Sequence, residues 1–186
     1  QQASTVINSS STDLSERLRS AITAFPDFPS DGILFRDISP VFADAVLLAD
    51  CIQELSARFE PIEEIDVVVG VEARGFPLAT LMANKLGKPM VMARKPSKLP
   101  GERVKVEYEL EYGTDSIEIQ RKAISEGQNV FIIDDLLATG GTALATAQAI
   151  RELKANVSGC GFIVELSELG GRDVLSSYHL ETLVNY

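Results

Sequence analysis

Tryptophan is absent from the 186 residues, histidine occurs once, cysteine twice, and cations are outnumbered, 17 lysines and arginines against 27 acids. Each shortage excludes something. His179 is the sole histidine and sits near the C-terminal end, so a Ser-His-Asp triad and a histidine-rich zinc centre both lack their parts. Cys51 and Cys160 stand singly in apolar segments. They are too few for a disulfide framework, are not at metal-ligand spacing, and fit a reducing, cytoplasmic setting. A net charge of -10 argues against nucleic acid or an anionic membrane as partner, because both call for a basic footprint. No run reaches the ~18 apolar residues of a membrane span. The opening QQASTVINSSSTD is polar, without the basic and then apolar stretches of a signal peptide, and residues 1–12 are read as a polar leader. Any anionic ligand must be held by local groups.

Hydrophobic side chains make up 45% of the chain, enough for one substantial core, and residues 1–186 are read as a single domain. Asp13 with Glu16 looks like a helix start, and Leu14, Leu18, Ile22 and Phe25 recur at helical spacing, so a helix is expected that stops before Pro26. The following stretch, residues 25–42, mixes prolines and a glycine with aromatics and reads as an ordered hood loop. Beyond it, helices at 45–59, 77–86 and about 142–154 alternate with strands at VVVG (67–70), PMVMAR, NVFIID and SGCGFIVEL. That rhythm predicts an α/β fold, a mainly parallel sheet with helices on both faces. RVKVEYELEY breaks the rhythm. Val104, Val106, Tyr108, Leu110 and Tyr112 alternate with charged residues, the mark of a half-exposed strand in a flap hairpin beside the main sheet.

Chemistry concentrates in VFIIDDLLATGGTALATAQAI, Val130 to Ile150, where a buried strand meets two acids, then a small-residue loop, then a helix. Backbone amides of Ala138, Thr139, Gly140 and Gly141 can close on a phosphate at the helix N-terminus, with the hydroxyls of Thr139 and Thr142 as further donors. Asp134 and Asp135, just upstream, suit the hydroxyls of an attached sugar. The loop has neither the lysine of a Walker motif nor GxGxxG spacing, which disfavours NTP hydrolysis and hydride transfer.

VFIIDDLLATGGT resembles the phosphoribosyl pyrophosphate (PRPP) motif of type I phosphoribosyltransferases. FPDFPSDGILFRDISP, VGVEARGF and LEYGTDSIEIQ look like segments of the adenine phosphoribosyltransferases in particular. The resemblance implies that Asp134 and Asp135 take the ribose hydroxyls and that Ala138 to Thr142 hold the 5-phosphate. VGVEARGF would be the pyrophosphate loop, with Arg74 reaching the leaving group and a strained or cis peptide near Glu72 and Ala73; the alanine before Arg74 departs from relatives with serine there. Arg94, Lys95 and Lys98 of RKPSKLPGE would add positive charge for pyrophosphate. Glu111 would be the acid/base for the adenine ring proton and Tyr112 would lie over the ribose, although strand pattern alone classes Glu111 as one more exposed acid. Ile33 and Leu34 would sandwich the purine while the Arg36 backbone reads its amino edge.

The implied reaction is adenine plus PRPP to AMP and pyrophosphate. Magnesium would be held mainly by substrate and water, a flap at residues 95–112 would close, and a homodimer would let a neighbour contribute a basic group. Two rivals remain: transfer to hypoxanthine, guanine or xanthine, and a PRPP sensor without catalysis. The sensor would want a DNA-binding extension, which the short, acidic first 25 residues do not provide.

Overall fold

The computed structural model describes residues 8–59, 64–110 and 113–186, with side chains at its N-terminal end from Asp13 onward. The chain divides into two compact units, one ending at Glu54 and one running from Leu55 to Tyr186.

In the first unit, helix α1 (Asn8–Ala21) buries Leu14 and Leu18, and the Arg17 guanidinium is 2.7 Å from Asp50 on helix α3 (Ala45–Phe59). The helix ends four residues short of the expected Phe25. Residues Thr23–Pro26 instead form strand β1, antiparallel to β2 (Leu34–Asp37), in the register Thr23↔Asp37 to Pro26↔Leu34. The hood is therefore a small hairpin followed by a short helix α2 (Ser39–Ala43), where the sequence suggested a loop without regular elements. Phe25 continued the helical spacing by coincidence; a β-branched and an aromatic residue beside a partner strand favour pairing over helix. The turn carries Asp27 at φ 55°, whose carboxylate accepts the Gly32 amide at 2.8 Å.

The second unit is built on five parallel strands, ordered β4 (Met90–Ala93), β3 (Val67–Val71), β7 (Asn129–Leu137), β8 (Asn156–Glu165) and β9 (Leu180–Asn185). Alternation along each strand sends neighbours to opposite faces. Val67, Val69 and Val71 of β3 join Val130 and Ile132 of β7 in a core closed by Ala143, Ala147 and Ile150 of helix α5 (Gly141–Glu152). On the other face, a Cβ on Gly70 would lie 2.6 Å from that of Ala79 in helix α4 (Gly75–Leu86). Helices thus cover both faces, as expected. Helix α4 starts two residues earlier than the sequence suggested. Pro77 sits in its first turn, where amides have no partner within the helix and a missing N–H costs nothing.

Strand order turns round at β3, which has β4 on one side and β7 on the other. In open α/β sheets a ligand crevice forms at such a reversal, beyond the carboxyl ends of the strands. Here those ends are the turn at Glu72–Arg74 and the loop at Ala138–Gly140. Beside the sheet, β5 (Arg103–Glu109) and β6 (Thr114–Gln120) form the separate antiparallel hairpin, with Val104, Val106, Ile117 and Ile119 turned into the core.

Candidate active site

Strand β7 continues to Leu137, three residues beyond the expected end at Asp134, so both acids stand inside it. The Asp135 carboxylate is buried and takes the Arg74 Nε at 2.7 Å. Asp134, half-buried, accepts the Asp135 amide at 2.8 Å and borders a cavity of about 90 Å³ with Leu136 and residues 138–143. Burial, and then the charge of Asp135, push the Asp134 carboxyl well above the usual carboxylate range.

Two glycines make the geometry possible. Gly140 adopts φ 83° at the start of α5, and a Cβ there would stand 3.0 Å from the Gly171 carbonyl of helix α6 (Gly171–Val174). Gly75 opens α4 and lets it approach β7: an added Cβ would meet the Ile133 carbonyl at 2.8 Å and an Asp134 carboxylate oxygen at 3.0 Å. Its part is to permit that close approach. No side chain caps α5, and residues of its first turn line the cavity, so first-turn amides and the positive end of the helix dipole are available there. A cavity of that volume, roughly three waters' worth, suits one phosphate. Sugar hydroxyls attached to it would then fall at Asp134.

The turn after β3 has a cis Glu72–Ala73 peptide, at the position the sequence marked. Glu72 clamps this turn to the segment after β4. It accepts the Lys95 amide at 2.8 Å and the Arg94 guanidinium at 3.3 and 3.4 Å. Burial works to raise the Glu72 carboxyl, but those donors outweigh it and hold it below the usual range. The expected cations are therefore placed differently from one another. Arg74 is held by Asp135, Arg94 by Glu72, and Lys95 by Asp115 and Tyr108. Lys98 is exposed and makes no ion pair with a described residue.

Sequence reasoning missed the clamp by Glu72 and the cluster around Tyr108. Asp115 lies directly opposite Tyr108 in the hairpin register, a pairing visible only once TDSIEIQ is recognised as the second strand. Glu111 and Tyr112 lie outside the described residues. Ile33 and Leu34 are exposed in the first unit, at the turn and the start of β2, and Arg36 is half-buried within β2 opposite Ala24. Burial pushes the thiols of Cys51 and Cys160 up to about 12, which excludes both as nucleophiles at neutral pH.

Comparison with known proteins gives one consistent picture. The family model of the phosphoribosyl transferase domain matches residues 45–176. The adenine phosphoribosyltransferase of Cenarchaeum symbiosum is 47% identical over 169 residues, covering 91% of this chain and 99% of its own. That of Clostridium perfringens is 46% identical, covering 91% and 98%. Among solved structures, the Saccharomyces cerevisiae adenine phosphoribosyltransferase, complexed with an imino-altritol bisphosphate and adenine, superposes with a TM-score of 0.88 at 41% identity, covering 92% of this chain and 99% of that one. The Thermoanaerobacter pseudethanolicus enzyme gives 0.88 at 44% identity with the same coverage.

Proposed function

We propose, because the chain belongs to the adenine phosphoribosyltransferase family, that it salvages adenine by transferring the phosphoribosyl group of PRPP to it, releasing AMP and pyrophosphate. The observation that carries this reading is the uncapped N-terminus of α5 closing a phosphate-sized cavity directly beside Asp134. The yeast relative was solved with a sugar-like bisphosphate and adenine together, the pair of ligands such a site would take.

In this reading the amides of residues 138–142 and the Thr139 and Thr142 hydroxyls hold the 5-phosphate, while Asp134 orients the ribose. Asp135 acts through Arg74, fixing the guanidinium beside the departing pyrophosphate. Lys98 is the cation free to move onto that group, with Arg94 behind it. Charge separates as the anomeric bond breaks, and fixed cations that meet developing charge stabilise that moment most. Glu111 handles the ring-nitrogen proton, Tyr112 covers the ribose, and a flap at 95–112 excludes water. The exposed faces of Ile33 and Leu34 suit a flat purine, and the Arg36 backbone would read its amino edge.

Magnesium fits as a substrate-borne ion. This ion keeps its waters and binds through phosphates and one or two carboxylates, and Asp134 beside the cavity is the carboxylate at hand. When bound it would neutralise pyrophosphate charge. A homodimer is part of the proposal. Three of the four candidate cations are already paired within the chain, so a basic group from a second copy would complete the charge. The two free, buried cysteines agree with a cytoplasmic setting.

The test is Glu111→Gln, which keeps the hydrogen-bonding shape and removes the proton affinity. Turnover of adenine should fall at least about tenfold with PRPP binding intact. Unchanged turnover would remove Glu111 from the chemistry.

A further inference from the structure

Four side chains from four segments meet at one phenol oxygen. The Lys95 ammonium, after β4, donates to the Tyr108 hydroxyl of β5 at 2.7 Å, and the Thr142 hydroxyl, in the first turn of α5, lies 3.1 Å from the same oxygen. Asp115 of β6 takes the Tyr108 hydroxyl at 3.2 Å and also pairs with Lys95 through the same carboxylate oxygen, while its other oxygen is fixed by the Ser116 amide at 2.7 Å. All four side chains are half-buried, and the Tyr108 ring packs against Gly141, where an added Cβ would be 3.3 Å from its edge. Nothing in the proposed reaction so far uses Tyr108 or Asp115.

A lysine ammonium only donates, whereas tyrosine and threonine hydroxyls each donate one proton and accept at the lone pairs, and their protons rotate to suit. Without a ligand the phenol proton goes to Asp115 and the Thr142 proton to the phenol. A phosphate in the adjoining cavity, which Thr142 lines, offers only acceptors. Thr142 would then turn its proton to the phosphate, and the phenol proton would turn to the oxygen that Thr142 has freed. Lys95 stays where it is, held by Asp115. The result is an unbroken line of donation: ammonium to phenol, phenol to threonine, threonine to phosphate. Donors in such a chain polarise one another, and one that starts at a charge is stronger than an isolated hydroxyl.

We propose that Tyr108 is a positioning residue that relays the positive charge of Lys95 to the Thr142 hydroxyl, making it a charge-assisted donor to the 5-phosphate of the sugar. This rests on the reading of the α5 N-terminus as the 5-phosphate site. It gives Lys95 a task at the 5-phosphate end, distinct from the pyrophosphate contact its sequence position suggests, and it gives the hairpin a direct bond to the phosphate loop.

Ribose 5-phosphate separates these roles, because it carries the 5-phosphate and no pyrophosphate. Calorimetric titration of the full chain with ribose 5-phosphate should find Tyr108→Phe weaker by about tenfold, the scale of one hydrogen bond to a charged group. Lys95→Met should weaken it similarly although the ammonium never touches this ligand. In a Thr142→Val background, adding Tyr108→Phe should cost less than about twofold further, because the relay has already lost its last member. Equal affinity for Tyr108→Phe and the parent, or losses that multiply in the double variant, would overturn the relay. If Tyr108→Phe fails to fold, Asp115→Asn and Lys95→Met carry the test from the other end, and affinities equal to the parent in both would overturn it. Failure of the parent chain itself to bind ribose 5-phosphate would count against the 5-phosphate site and with it the relay.

Discussion

At the scale of single residues, Asp134 illustrates a site that works against its own stability. Its carboxyl is pushed up by burial and by Asp135, so the folded chain binds a proton that the unfolded chain, titrating near about 3.9, gives up. An acid raised in this way loses stability as pH climbs through the window between the two values, and at neutral pH it is a net cost. Asp134→Asn should therefore raise the melting temperature of the ligand-free protein at pH 7 by about 2–4 °C, the shift that ~1 kcal/mol gives a chain of this size. The same variant should bind PRPP more weakly by calorimetry. A lower melting temperature, or undiminished affinity, would contradict the assignment of Asp134 as the ribose acid.

At the scale of elements, the loop proposed to hold the phosphate depends on its neighbour α6, because Gly140 rests on Gly171. Arg172 anchors that helix, donating to the buried Glu165 of β8 at 2.9 and 2.6 Å, while Thr182 of β9 adds a bond at 2.9 Å. These bonds, Arg172 first, hold the Glu165 carboxyl below the usual range. A depressed acid contributes stability above its unfolded pKa and loses it as pH falls through the folded one. Glu165→Gln should thus lower stability at pH 7 by about 1–2 kcal/mol, with half of the Arg172 side chain exposed and screened. The difference from the parent should shrink below about pH 4, read by denaturant melts across pH. A difference that persists in acid would mean that packing, and not the ion pair, is what Glu165 supplies.

The elements also mark where sequence was legible. Helix and strand alternation around VVVG and NVFIID is carried by contiguous apolar runs, so the parallel core could be read directly. The β1–β2 hairpin could not, because Phe25 falls on the helical period of Leu14, Leu18 and Ile22 while its true partner is set by pairing ten residues away. The small-residue loop between β7 and α5 was legible because its signal is local: glycines and hydroxyls within Ala138 to Thr142, set between a strand and a helix. What stayed hidden is made of distant partners. Glu72 with Arg94, Asp135 with Arg74, and Asp115 with Lys95 join segments that only folding brings together.

At the scale of the whole molecule, an acidic chain handles a highly anionic substrate by confining its cations. The net charge is -10, and Arg74, Arg94 and Lys95 are each paired with a carboxylate of the chain itself. In the proposed reaction such pairing would hold the Arg74 and Arg94 guanidinium groups oriented and reduce the reorganisation needed as pyrophosphate forms. What sets this chain apart from other enzymes sharing the sugar site is then the base it accepts. The direct measurement is pyrophosphate release from PRPP with magnesium, run separately with adenine, hypoxanthine and guanine. Release with adenine alone is the predicted result. Release with an oxopurine in its place, or binding of PRPP with no release from any base, would contradict the account.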